Sequence, residues 1–277
     1  MRIRAVAFDL GNTLVEYYQR ESFPSILVES ICSAHAVLRN FAVVPLAEAQ
    51  AVALTENVER PDGKVRPLRD RLATIFGLAE QTPEAVREQA LHAFLQPIFR
   101  CARKYEDSAP TLRMLRQQGY RLAIVSNTPW GSPSNLWREE INRLNLADMV
   151  DVSIFCVDVG WRKSSPIIFE CLLQALNVTA PECLFVGDEP VWDVEGASDA
   201  GMPAILIDRA NRHTGYNGIR VQSLEEIAHH LGSTSKTVAG YFARPSGTKV
   251  QNDGGPLSRI GNRQLDSSAN DAKNDFD

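Results

Sequence analysis

The run Ala5-Val6-Ala7-Phe8-Asp9-Leu10-Gly11-Asn12-Thr13-Leu14 sets the reading of the whole chain. Four apolar residues lead directly into a carboxylate, the pattern of a short strand buried on both faces that ends at Asp9. Gly11 and Asn12 permit a sharp turn that presents backbone N–H groups, and Thr13 adds a hydroxyl. In an open parallel sheet, ligands bind beyond the carboxyl ends of the strands, so an aspartate here stands where a site would be. Taken alone, the decapeptide reads equally well as an ordinary turn whose aspartate caps a loop. The other strand ends decide between the two.

Outward from this run, apolar residues recur at three- and four-residue spacings through Ile26, Leu27, Ile31, Val37 and Leu38, then through Leu46, Val52 and Leu54. That period predicts helices, and no strand signal appears between about Tyr17 and Arg103. Pro61-Asp62-Gly63 predicts a turn, and Thr82-Pro83-Glu84 an N-cap with proline at the first helical position of a helix running toward Phe94. A helix from Ser108 to Gln118 is followed by a strand over Tyr120–Val125 that ends at Ser126-Asn127. Strands near Val152–Cys156, Cys183–Val186 and Ala204–Ile207 then alternate with helices near Pro166–Leu176, Val191–Ala200 and Ser223–Leu231, the last with a Ser223…Glu226 capping box. Such alternation predicts an α/β fold with a doubly wound parallel sheet, residues 1–16 and 105–232, interrupted by a helical insertion over 17–104. Residues 233–277 are rich in Ser, Thr, Gly, Asn and Asp, and a disordered tail is expected there.

Composition narrows the function classes. With 277 residues, 44% of them hydrophobic, and a formal net charge of −5, the chain is an ordinary globular sequence without a basic footprint for nucleic acid or anionic membrane. No apolar run approaches the ~20 residues of a membrane span, and no signal-peptide pattern follows Met1, so a cytoplasmic protein is expected. The five cysteines, Cys32, Cys101, Cys156, Cys171 and Cys183, are odd in number and far apart, which fits reduced thiols better than disulfides or a sulfur-ligated metal.

Two further strand ends and one helix start resemble the first in chemistry. Ser126 and Asn127 offer a hydroxyl and an amide suited to phosphoryl oxygens. Asp188 follows Gly187, and Asp193 lies five residues on, in the first turn of the next helix. Lys163 precedes the helix that starts at Pro166. One sheet edge would thus gather three carboxylates, one ammonium and one hydroxyl. Three crowded carboxylates repel, and a hard divalent cation such as Mg²⁺ relieves the repulsion. Separately, each piece is a common turn, a helix-dipole acid or a surface lysine; their order and common placement carry the argument.

That order resembles the haloacid dehalogenase (HAD) superfamily. Phe8-Asp9-Leu10-Gly11-Asn12-Thr13-Leu14 matches its first motif, Ser126-Asn127 the second, Lys163 the third and Gly187-Asp188…Asp193 the fourth. The resemblance spans about Ile3 to Leu231. It implies a Rossmann-like core with a helical cap inserted after the first motif, and a phosphatase acting on a small phosphorylated metabolite. It also implies Asp9 as the nucleophile of an aspartyl-phosphate, Lys163 as its charge partner, and Ser126, Asn127 and Thr13 on the substrate. Mg²⁺ would be held by Asp9, the Gly11 carbonyl and Asp188, with Asp193 orienting Lys163 or supporting the metal shell.

Two departures qualify the resemblance. The family's phosphatases usually carry a second aspartate where this chain has Gly11, and glycine transfers no proton. The missing acid predicts a preference for leaving groups that need little protonation, such as acyl, aryl or anomeric sugar phosphates; Glu16 or Glu189 are alternative carboxylates. Motif three lacks its usual proline after the lysine, so Arg162 could share the phosphate role. Trp130, Trp137 and Trp161 concentrate around the proposed site, either lining it or filling core. Dehalogenase- or phosphonatase-type hydrolysis and a non-catalytic HAD-like binding module remain the competing readings, and neither substrate identity nor oligomeric state is encoded legibly.

Overall fold

The computed structural model describes residues 2–56 and 62–232. Its centre is a six-stranded sheet, all neighbours parallel, built from β1 (Ala5–Phe8), β4 (Arg121–Ser126), β5 (Val152–Phe155), β6 (Cys183–Gly187), β7 (Ala204–Ile207) and β8 (Arg220–Val221), in the spatial order β5-β4-β1-β6-β7-β8. The order runs outward in both directions from β1, so β1 lies at the switch point where an open α/β sheet forms its crevice.

The uninterrupted apolar run of β1 is explained by burial on both faces. Ala5 and Ala7 pack with Ala123, Val125, Phe169, Phe185 and Leu206 on one side, whereas Val6 and Phe8 pack with Leu122, Ile124, Leu184, Val186 and Ile207 on the other. This is the period-two alternation of a strand, with helices covering both faces. The helices of the alternating part are α5 (Ser108–Gln117), α6 (Ser134–Arg143), the single turn α7 (Cys156–Val159), α8 (Pro166–Leu176), α9 (Gly196–Asp199) and α10 (Ile227–Gly232). The expected Ser223 box is present: the Glu226 carboxylate accepts the Ser223 N–H at 2.9 Å.

Between β1 and β4 the chain forms four helices, α1 (Phe23–Leu38), α2 (Leu46–Glu56), α3 (Leu68–Phe76) and α4 (Glu84–Arg100). Two-residue strands β2 (Val15–Glu16) and β3 (Arg103–Lys104) pair antiparallel at their base. These strands and a backbone bridge between Lys64 and Trp161 are absent from the sequence reading, because two-residue pairings leave no periodic trace. Thr82 does not cap α4: the cap position is Pro83, and the buried Thr82 hydroxyl has no hydrogen-bond partner. Pro61 and the whole expected tail, 233–277, lie outside the described residues.

The apolar core runs without a break from this helical segment to the sheet. Phe94 of α4 meets Trp130 at 5.2 Å between ring centroids, and Phe99 meets Trp137 at 5.0 Å. Gly131, next to Trp130, has a positive φ of 66°, and a Cβ there would stand 2.2 Å from the Arg66 carbonyl oxygen, so only glycine admits the approach. Trp130 and Trp137 are therefore packing residues between the helical segment and the sheet.

Candidate active site

Asp9 follows β1 and is anchored by its own N–H, which donates to the Val186 carbonyl at 2.9 Å. The chain then turns back on itself: Asn12, at φ 54°, donates its N–H to Val15 O at 2.7 Å, and Val15 donates to Leu10 O at 2.9 Å. Asparagine tolerates that left-handed conformation better than most side chains.

Three other elements deliver side chains to the same spot. From the end of β4, the Ser126 hydroxyl donates to Asp9 Oδ1 at 3.1 Å. Lys163, from the loop before α8, extends its ammonium to the same Asp9 Oδ1, to Asp193 Oδ1 at 2.7 Å and to the Val125 carbonyl at 3.1 Å. All of these side chains are buried. Asp193 arrives on a wide π-type turn over Pro190–Glu195, where the sequence predicts ordinary helix. A single widened turn of this kind is frequent at functional sites and re-aims a side chain. Its Oδ2 accepts the Glu189 N–H at 3.0 Å, and a Cβ on Gly187 would lie 2.3 Å from that oxygen, which is why glycine precedes Asp188.

Both amide atoms of Asn127 are spent on Lys163: Oδ1 accepts the Lys163 N–H at 2.9 Å, and Nδ2 donates to its carbonyl at 3.2 Å. Asn127, expected on the substrate, here fixes the backbone from which Lys163 reaches. Thr13, also expected on the substrate, has a fully buried hydroxyl with no hydrogen-bond partner, and its carbonyl is taken by Arg209 at 2.7 Å. Glu16 accepts from Gln19 at 2.6 Å, a local contact with no link to Asp9.

Asp9, Asp188 and Asp193 each offer an oxygen within 4.8 Å of the others. The electrostatics follow from that crowding. Burial, offset by Lys163 and reinforced by Asp193, pushes the Asp9 carboxyl up to about 6. Burial and then the charges of Asp9 and Asp193 hold the Asp188 carboxyl well above its usual range. Burial opposes the charge on Lys163, but Asp193 and Asp9 overcome it and keep the ammonium protonated. Asp188 Oδ2 is buried without a hydrogen-bond partner. A buried carboxylate oxygen with no hydrogen bond, beside two other carboxylates, fits a hard cation, which both satisfies the oxygen and offsets the repulsion. Asp193, with one oxygen on Lys163 and the other on a backbone N–H, fits the lysine-orienting role better than that of a metal ligand.

Residues 3–201 match the family model described as haloacid dehalogenase-like hydrolase. The chain belongs to that family. Among relatives of this hydrolase, a glyceraldehyde 3-phosphate phosphatase of Methanothermobacter thermautotrophicus is 27% identical over 233 residues, covering 82% of this chain and 97% of the relative. A phosphoserine phosphatase of Thermus thermophilus is 29% identical over 76% of this chain and 83% of its own. The crystal structure of a HAD phosphatase from Thermococcus onnurineus superimposes with a TM-score of 0.58 at 27% identity, over 83% of this chain and 98% of that one.

The sequence reading missed Trp192 and Arg212, both close to this site. Trp192, the fourth tryptophan, is exposed beside Asp193, and the Arg162 guanidinium lies 5.7 Å from its ring centroid. Arg212 stands 3.6 Å from Asp188 Oδ2. Tyr17 is buried against Trp137, and its Cδ2 would lie 3.9 Å from a Cβ added at Gly11, with no closer atom among the described residues beyond the chain neighbours of Gly11. Gly11 is thus not enforced by space.

Proposed function

We propose that this HAD hydrolase is a Mg²⁺-dependent phosphatase of small phosphorylated metabolites that works through a phosphorylated Asp9. The observation that carries the reading is the convergence of the Lys163 ammonium and the Ser126 hydroxyl on one oxygen of a buried carboxylate. Two donors fixed beside a nucleophile suit a tetrahedral phosphoryl group, whose transferred charge spreads over equatorial oxygens.

In this reading Asp9 attacks phosphorus, the bond to the leaving-group oxygen breaks with its electron pair, and an acyl phosphate remains on Asp9. Water then attacks that phosphorus, the bond to Asp9 breaks, and the carboxylate returns with release of inorganic phosphate. Lys163 balances charge on Asp9 and on the phosphoryl oxygens, Asp193 holds the ammonium in place, and Ser126 donates to a phosphoryl oxygen. Mg²⁺, held by the carboxylates of Asp9 and Asp188 and the Gly11 carbonyl, would supply charge neutralisation and in-line alignment. Helices α1–α4, over 17–104, serve as the cap, and the names of the similar phosphatases support the reaction class. The five cysteines, all free thiols, fit a reducing compartment, and we place the enzyme in the cytoplasm.

Gly11 leaves the departing oxygen without a proton donor on this loop. General acid–base catalysis is worth about 10²–10⁴-fold, so aryl, acyl and anomeric phosphates should be turned over faster than simple alkyl esters by a margin of that order. The test is hydrolysis of aryl and alkyl phosphates by the full chain, with and without Mg²⁺, beside Asp9→Asn. The reading expects Mg²⁺-dependent aryl turnover that falls at least about 10⁴-fold in Asp9→Asn. Turnover that survives the substitution would overturn the nucleophile, and equal aryl and alkyl rates would remove the leaving-group preference.

A further inference from the structure

We propose that Arg212 is a specificity-determining residue that holds a second negative charge, carried on the leaving group of the substrate; the inference rests on the phosphatase reading above. The placement of Arg212 is built into the fold. Asp208, the buried residue that follows β7, accepts the Arg212 N–H at 2.8 Å on one carboxylate oxygen and the His213 N–H at 2.7 Å on the other. The second oxygen also takes Arg220 of β8 at 2.9 Å. A buried, fully engaged carboxylate therefore pins the backbone of a loop whose side chain is directed at the site.

The guanidinium itself is only loosely used. It makes no hydrogen bond among the described residues, and its one ion pair, to Asp188 Oδ2 at 3.6 Å, is longer than a hydrogen bond. Its side chain is 38% exposed, against 3% for Lys163. Five donors in a planar fork, held over an anionic site and left unspent, suit a carboxylate or phosphate supplied by a ligand.

Charge and position say which part of the ligand that is. The Lys163 ammonium and a divalent cation together offset the three carboxylates, so a phosphoryl dianion arrives at a site with no surplus positive charge, and Arg212 adds one. Lys163 and Ser126 already meet the phosphoryl group at the buried end, beside Asp9. A substrate with its phosphorus at Asp9 extends its leaving group toward solvent, where Arg212 stands. The favoured substrates are phosphate monoesters whose leaving group carries a carboxylate or a second phosphate.

Two aryl phosphates of similar leaving-group acidity that differ by one carboxylate test this: 4-methylphenyl phosphate and 4-(carboxymethyl)phenyl phosphate. Steady-state kinetics with Mg²⁺ are compared for wild type, Arg212→Gln and Arg212→Lys. The proposal expects wild type to prefer the carboxylated ester at least about tenfold in kcat/KM, with the difference in KM. That preference should shrink as salt is raised, collapse in Arg212→Gln and survive in part in Arg212→Lys. Thermal unfolding and calorimetric Mg²⁺ titration of each variant separate loss of fold or metal from loss of recognition. An unchanged ratio in Arg212→Gln, or an equal fall on both esters, overturns the proposal while leaving the phosphatase reading intact. Wild type inert toward both esters overturns that reading and this one with it.

Discussion

The side of the site around Lys163 and the side around Asp188 share one sheet edge, yet the chain completes only the first. At Lys163 every charge has a partner: Asp9 and Asp193 on the ammonium, a backbone N–H on Asp193, and Asn127 clamped on both backbone atoms of Lys163. At Asp188 a buried oxygen has no hydrogen-bond partner, the neighbouring Arg212 is half engaged, and Gly11 leaves open the space where a side chain would start. A folded chain tolerates a buried, unsatisfied carboxylate when a ligand is meant to finish it, at a cost in stability of the unliganded state. The contrast separates the part of the site that folding completes from the part that metal and substrate complete.

The largest effect should come from breaking the completed side. Lys163→Met keeps the length and apolar stem of the side chain but strands two buried carboxylates. Removing one partner of a buried ion pair typically costs about 3–5 kcal/mol, and here the loss should show as a lower denaturation midpoint together with lost turnover. A variant as stable as wild type would mean that Lys163 contributes nothing to the fold, and the contrast between the two sides would disappear.

The opposite sign is expected on the unfinished side. Asp188→Asn removes a desolvated charge that Asp9 and Asp193 repel, so the metal-free protein should gain on the order of 2 kcal/mol in denaturant unfolding. The same variant should lose Mg²⁺ binding by calorimetry. Destabilisation of the metal-free variant would show that Asp188 is as well satisfied by the fold as Lys163 is.

How much of this was legible in the sequence follows the same division. Asp9, Ser126, Lys163, Asp188 and Asp193 were readable because each sits within a few residues of a strand end or helix start, where apolar periodicity fixes position and turn chemistry marks the boundary. The sheet was readable for the same reason: β1, β4, β5, β6 and β7 are apolar runs long enough to register. Arg212 was not readable. It is one arginine in a polar loop, and its meaning depends on Asp208 and Arg220 closing around that loop, contacts that no local pattern encodes. Nor was the role of Asn127, since an amide at a strand end looks the same whether it faces a ligand or the backbone 36 residues away. The widened turn at Pro190–Glu195 escaped because helix propensity and capping signals do not distinguish a π-type turn from an α-turn.

The smallest expected effect is a pH dependence that metal should erase. Burial raises the Asp9 carboxyl from 3.8 to about 6, and burial with the neighbouring carboxylates raises Asp188 in the same direction. A carboxyl whose folded pKa lies above its unfolded one binds its proton more tightly when folded. Its contribution to stability is present below about pH 4 and is lost as pH climbs through the folded value. Between pH 4 and 6 the metal-free protein should therefore lose on the order of 1 kcal/mol per pH unit from this cluster. Lys163 acts differently: its ammonium is stabilised by its partners throughout this range and itself adds no slope there. Divalent-cation binding favours the ionised carboxylates and reverses the preference, so saturating Mg²⁺ should flatten the slope. Denaturant unfolding at several pH values, with and without Mg²⁺, isolates the contribution of Asp188 when wild type is compared with Asp188→Asn, because carboxylates outside the cluster cancel in the difference. Identical slopes in the two proteins without metal would mean that Asp188 is not held in a strained state, and that the unfinished side is finished by the chain after all.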